Sequence, residues 1–194
     1  MAQPILDDEH TALESQVREC YGRCAYSHKT HERMADRRAK WLRRVKRIQL
    51  TLSAATTCGA LAVIFAKDGT YYAWATAAVS LLSVALNTYM TDLDPGQAAQ
   101  KHRETAADLW NIRESYLSLL TDIRQGVGLD ALRNRRDELQ EQLHAIYRIA
   151  PHTDGKAYVE AQDRLKNKED LTFTDHEIDV MLPTTLRRNP DEKS

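Results

Sequence analysis

The chain has 194 residues, the length of one ordinary domain, yet 28% of them are charged while two long stretches carry no charge, so the charge is concentrated outside those stretches. Three cysteines, with Cys58 inside an uncharged stretch, exclude an even extracellular disulfide framework and suit a reducing compartment. Gly is scarce and the 5 Pro lie near predicted element ends, so an almost wholly helical, all-α chain is expected.

The N-terminus (MAQPILDDEH) is acidic and lacks an apolar core, so no cleavable signal peptide is expected and the first span acts as its own insertion signal. Beyond it Leu13, Val17, Cys20, Cys24, Ser27, His31, Met34, Arg38, Trp41 and Val45 alternate steps of three and four, a heptad-type seam with polar interruptions. No Pro or tight-turn signal lies between Thr11 and Ile48, which predicts one helix running unbroken into the first span. Cys20, Cys24, His28 and His31 share one side of it and invite a metal reading. Geometry argues against that reading: a helix rises about 1.5 Å per residue, setting Cys20 about 16 Å from His31, whereas zinc ligands lie roughly 2 Å from one ion. Packing is the preferred reading and no metal site is assigned.

A basic block of Arg37, Arg38, Lys40, Arg43, Arg44, Lys46 and Arg47 leads into the first uncharged run, Ile48 to Ala66, 19 residues. The second run, Gly69 to Thr91, has 23, and only Lys67 and Asp68 separate the two. As helices the runs measure roughly 28 to 35 Å, matching a hydrocarbon core about 30 Å thick. The alternative is a pair of soluble helices buried in an oligomer core, since both runs are rich in Ala, Ser and Thr. The membrane reading is favoured by the cytoplasmic-type basic flank, and by Trp41, Tyr71, Tyr72, Trp74 and Tyr89 near the span ends. It predicts a transmembrane helical hairpin over residues 48–91 with both termini cytoplasmic. Gln49, Ser53, Thr56 and Thr57 mark a small polar stripe on the first span, and Ser80, Ser83 and Asn87 one on the second. In a bilayer such stripes pack helix on helix or line water. They are the candidate pore-lining residues, and the basic block is the candidate lipid-headgroup contact or inner mouth. That block could also meet nucleic acid, but beside a span anionic lipid is the better partner and no nucleic acid is expected.

Asp92-Leu93-Asp94-Pro95-Gly96 breaks the helix at the membrane exit. From Gln97 to Gln125, Leu109, Ile112, Tyr116, Leu119 and Ile123 predict an amphipathic helix whose apolar face is widened by Ala106, Trp110, Leu117 and Leu120. Gly126 and Gly128 end it. The next helix carries Leu129, Leu132, Leu139, Leu143 and Ile146, interrupted by Arg136 and stopped by Pro151, completing an antiparallel αα-hairpin. Thr153 or Asp154 caps a shorter helix through Lys166, and Thr174-Asp175-His176-Glu177 has capping-box spacing before Ile178, Met181, Leu182 and Pro183. The expected organisation is thus a cytosolic N-terminal helix (1–47), the hairpin (48–91), a cytosolic helical region (92–183) that bundles with the first helix and assembles subunits, and a mobile tail (184–194). No phosphate loop, HExxH or nucleophile elbow occurs, so no catalytic residue, cofactor or enzyme activity is assigned.

The segment Tyr26-Ser27-His28-Lys29-Thr30-His31, the basic run into two spans, the following helix with Trp110 and Tyr116, and Ile178-Asp179-Val180-Met181-Leu182-Pro183 with Leu186-Arg187 together resemble the SLATT family. These are bacterial two-transmembrane effector domains associated with SMODS nucleotidyltransferases and SLOG sensors. The resemblance covers nearly the whole chain and rests on the order of its elements. It implies a homo-oligomeric pore-forming or membrane-disrupting effector of conflict systems, including antiphage defence by abortive infection, triggered by a synthase or sensor of a nucleotide signal. A passive membrane scaffold whose cytosolic helices dock a partner is the alternative.

Overall fold

The computed structural model describes residues 3–65, 69–183, 185 and 187; the outer turn at Lys67 and Asp68, and all but residues 185 and 187 of the tail, lie outside the described residues. Six helices follow one another: α1 (Gln3–Phe65), α2 (Thr70–Leu93), α3 (Pro95–Arg124), α4 (Leu129–Ile149), α5 (Gly155–Asn167) and α6 (Asp175–Met181). Among the described residues there is no strand.

α1 is a single helix of 63 residues that passes from the basic block into the uncharged run without a break, as the absence of Pro and turn residues predicts. The heptad seam is its buried edge. Leu13, Val17, Cys20, Cys24, Met34 and Val45 are buried, while Arg38 is exposed, and α3 lies along this edge. Leu13, Val17, Cys20 and Cys24 pack with Ile112, Tyr116, Leu119 and Ile123 of α3 and with Leu132 and Leu139 of α4 into one apolar core. The seam is therefore filled from within the chain. α4 and α5 both cover one side of the α1/α3 pair: Arg136 donates to Gln16 at 2.7 Å and Ser27 bonds to Tyr147 at 2.7 Å, while Ala157 and Ala161 of α5 are fully buried.

Two details differ from the sequence expectation. The membrane exit is one residue long rather than five, because Pro95 starts α3 instead of ending α2. At the first helical position its missing N–H costs nothing, and the Asp94 carboxylate caps the helix by accepting from the Gln97 N–H at 3.0 Å. Asp94 takes the left-handed conformation (φ 30) that makes so short a corner possible. Trp110 and Leu117 do not join the core but remain 48% and 45% exposed. Asp154, not Thr153, caps α5, accepting from the Ala157 N–H at 2.7 Å. The capping box of Thr174 and Glu177 forms as the spacing predicts.

Candidate functional site

The uncharged parts of α1 and α2 are long and apolar enough to cross a membrane, and the most apolar 18-residue stretch of each contains no fully buried residue. A soluble core helix would be covered. Here Leu50, Ile64, Phe65, Trp74 and Leu81 each stand at least 71% exposed, a surface that water would penalise and hydrocarbon accepts.

Where α1 and α2 face one another the side chains are small or polar. Gln49, Leu52, Thr56, Gly59 and Val63 of α1 are half-buried, as are Thr76, Val79, Ser80, Ser83 and Leu86 of α2. The approach is tightest at Gly59, where an added Cβ would collide with the Thr76 hydroxyl. That hydroxyl is buried, with no hydrogen-bond partner among the described residues. Near the basic end, the Gln49 amide donates to the Asn87 side-chain carbonyl at 2.7 Å, joining the two polar stripes. The stripe on α1 is split by this contact. Gln49 and Thr56 turn toward α2, whereas Ser53 and Thr57 are exposed. The hydroxyls are satisfied within their own helices: Thr56 donates to the Leu52 carbonyl, Thr57 to that of Ser53 and Ser83 to that of Val79, at 2.9 to 3.0 Å.

Arg38, Lys40, Arg43, Arg44, Lys46 and Arg47 are exposed around α1 below the first span. Arg37 is turned away from them to Asp154, Nη1 to Oδ1 2.8 Å. Asp154 thus caps α5 and binds α1 at once, and the Ala157 N–H, with the Arg37 guanidinium, holds its carboxyl below the usual range. Arg33 reaches Glu160 at 3.3 Å, and Lys29 reaches Asp170 at 3.0 Å. Three cations spaced four apart on α1 therefore fasten α5 and the segment after it. The acidic partners lie more than a hundred residues away, and nothing in α1 itself discloses them.

Beside this clamp three histidines are buried between α1 and α3. His31 and His102 meet Nδ1 to Nδ1 at 3.0 Å, and His28 Nδ1 lies 2.9 Å from the Ala106 carbonyl. Burial, then the neighbouring His102 and His28, drives the His31 pKa down to about 4; burial and Arg38 lower that of His102, against the pull of Asp154. One neutral ring donates and the other accepts. Cys20 and Cys24 lie in the apolar core farther along α1, where burial, aided by Cys20, pushes the Cys24 thiol up to about 12. The cysteines and histidines do not converge.

No curated protein and no solved structure matches the chain. One family profile does, over residues 13–177, a stretch that takes in the bare hairpin, its polar seam and the clamped bundle. The chain belongs to the SMODS and SLOG-associating 2TM effector domain family 4, and is a two-transmembrane effector of bacterial conflict systems.

Proposed function

We propose that the protein assembles as a homo-oligomer in the bacterial inner membrane, both termini cytoplasmic, and opens a pore or disrupts the bilayer when a partner that makes or senses a nucleotide signal acts on its cytosolic bundle. The observation that supports this best is the seam between two otherwise bare apolar helices, held across by the Gln49–Asn87 bond. Such a bond between transmembrane helices is worth about 0.6 kcal/mol, little enough for a rearrangement of the bundle to break. In the resting hairpin the seam half-covers Gln49, Thr56, Ser80 and Ser83, and the Gln49 amide satisfies the side-chain carbonyl of the exposed Asn87. In the active form these residues, with Ser53 and Thr57, line water. Two spans cannot enclose an aqueous path, so the active form needs several copies. The collar of Arg38, Lys40, Arg43, Arg44, Lys46 and Arg47 then rings the inner mouth, drawing anionic headgroups at rest and favouring anions when open.

The test is the pair Ser53→Leu and Asn87→Leu in cells carrying the triggering system and a membrane-potential dye. Insertion is expected to persist while depolarisation and growth arrest disappear. The scaffold reading draws support from the hydroxyls of Thr56, Thr57 and Ser83, which are satisfied within their own helices and need no water. If the leucine variants depolarise cells like the parent, the stripes are packing surfaces.

A further inference from the structure

Where the end of α4, the linker after it and the start of α5 meet α1, they border a hollow of about 300 Å³, at the small end of the range that ligand pockets occupy. Its lining differs in kind from the rest of the bundle. Three other hollows each carry charged side chains, Glu32 and Arg103 in one, Glu14 and Arg18 in the next, Arg38 and Asp154 in the last. This one, in a chain of which 28% is charged, is lined by no Asp, Glu, Lys or Arg among the described residues. Aromatic rings and hydroxyls take their place.

Tyr26, Tyr147 and Tyr158 supply the rings. Tyr26 and Tyr158 stack on each other, centroids 5.8 Å apart and planes at 27°. Tyr158 is still 49% exposed and Tyr147 42%, so both keep open surface that a flat ring can cover. The hydroxyls of Tyr147 and Ser27 bond to each other at 2.7 Å, and Thr30 donates to the Tyr26 carbonyl at 2.7 Å. Those bonds fix the wall.

Two sets of polar groups are left over. His31 lines the hollow and is only 4% exposed; its Nδ1 is taken by His102, and its Nε2 makes no hydrogen bond among the described residues. Burial holds the ring neutral, its pKa down at about 4, so that nitrogen offers one hydrogen bond and no charge. The linker is the second set. Ala150, Pro151, His152 and Thr153 line the hollow in a stretch that is neither helix nor strand, and among the described residues neither the N–H of His152 and Thr153 nor the Pro151 carbonyl makes a backbone hydrogen bond. Such a strip presents donors and acceptors side by side, the complement of the edge of a heterocycle.

We infer that this hollow binds a small, uncharged, planar heterocycle, laid against the tyrosine faces with its edge bonded to His31 and to the linker backbone. A charged ligand would find no counter-charge in the lining, and a saturated ring would forfeit the stacking. The linker ends in Asp154, which clamps Arg37, so a seated ring ties α1 to the α4–α5 turn. The inference goes beyond the effector reading and does not depend on a pore.

Full-length protein in detergent, titrated in turn with adenine, cytosine and nicotinamide under saturation-transfer NMR, tests it. At least one of the three is expected to bind saturably, whereas benzoate, planar but anionic, and cyclohexanol, uncharged but not planar, are not. Tyr158→Ala is expected to weaken that binding about fivefold and Tyr158→Phe to keep it. Thr153→Pro, which deletes a linker N–H that holds no backbone bond in the fold, is the second variant and is expected to weaken it as well. Trp110→Ala, at a different hollow, leaves it unchanged. No saturable binding by any of the three, binding that benzoate or cyclohexanol matches, binding that Tyr158→Ala and Thr153→Pro leave intact, or binding that Trp110→Ala abolishes each overturns the inference. Binding to protein that never depolarises cells upholds the site and counts against the pore alone.

Discussion

At the scale of single residues the protein's polar chemistry sits at two places where it is least expected, the hairpin seam and the buried histidines. Gly59 is the residue on which the seam closes, since any side chain there meets Thr76. Gly59→Leu is expected to part the helices and break the Gln49–Asn87 bond; loss of a disulfide engineered between positions 52 and 83, relative to the parent, measures it. His31 and His102 give the bundle a pH dependence of defined sign. Their folded pKa values lie below the unfolded value of about 6.5, so their neutral form is favoured by folding. Stability is then full above about pH 6.5 and is lost as pH falls from there toward about 4, where His31 also protonates in the folded state. Thermal unfolding in detergent should show a decline on the order of 1 to 2 kcal/mol by pH 5. His31→Gln together with His102→Gln should flatten that decline between pH 7 and 5.

At the scale of elements, the bundle depends on the α1/α3 contact. Leu109 and Leu119 are both at most 2% exposed, within the chain's own core. Leu109→Ala is therefore expected to cost about 2 to 5 kcal/mol of folding stability by opening a cavity, read as a lowered unfolding temperature. Leu109→Asp, which buries an unpaired charge in the same core, is expected to unfold the bundle. Much of this architecture was legible in the sequence. Leu13, Val17, Cys20 and Cys24 match Ile112, Tyr116 and Leu119 because both helices carry the same three-four period, and the absence of Pro and turn residues between Thr11 and Ile48 lets α1 run on into the first span. The apolar face that Trp110 and Leu117 widen is left partly uncovered, which the spacing does not disclose, because periodicity reports an apolar face but not whether a neighbour covers it. The corner at Asp94 was hidden for another reason: Asp-Pro-Gly reads as a loop until the capping role of Asp94 makes Pro95 a helix start. The pairings of His102, Glu160 and Asp170, and the bond from Arg37 that Asp154 accepts beside its capping role, are not legible because the partners lie across the fold, and a single polar residue on an amphipathic helix gives no sign of one. Of the hairpin site, the Gln49 and Asn87 stripes were legible as helical spacing. Their direct contact, and the exposure of Ser53 and Thr57, follow from the rotation of the helices, which spacing alone leaves open.

At the scale of the whole molecule, the proposed topology with both ends inside predicts a labelling pattern. In a Cys58→Ser background, Tyr71→Cys at the outer end of α2 is expected to react with an impermeant thiol reagent added outside cells, and Glu104→Cys only after lysis; the reverse pattern would place the bundle outside. The clamp of Lys29, Arg33 and Arg37 carries a further expectation. Arg37→Ala should free the start of α5, detectable as faster amide exchange around Ala157, while leaving the hairpin inserted. The unequal joints between bundle and hairpin have a mechanical meaning. α1 enters the membrane as one rod, with about 63 Å of it between Gln3 and Val45, whereas α2 leaves through the single-residue corner at Asp94. A torque applied along the cytosolic rod is expected to reach the first span through unbroken helix, while the second span meets the bundle only through its one-residue corner. Under the proposed function the pair is expected to work as a crankshaft beside a pivoted strut, so that a partner acting tens of ångströms from the bilayer would turn Gln49 away from Asn87 without touching either span.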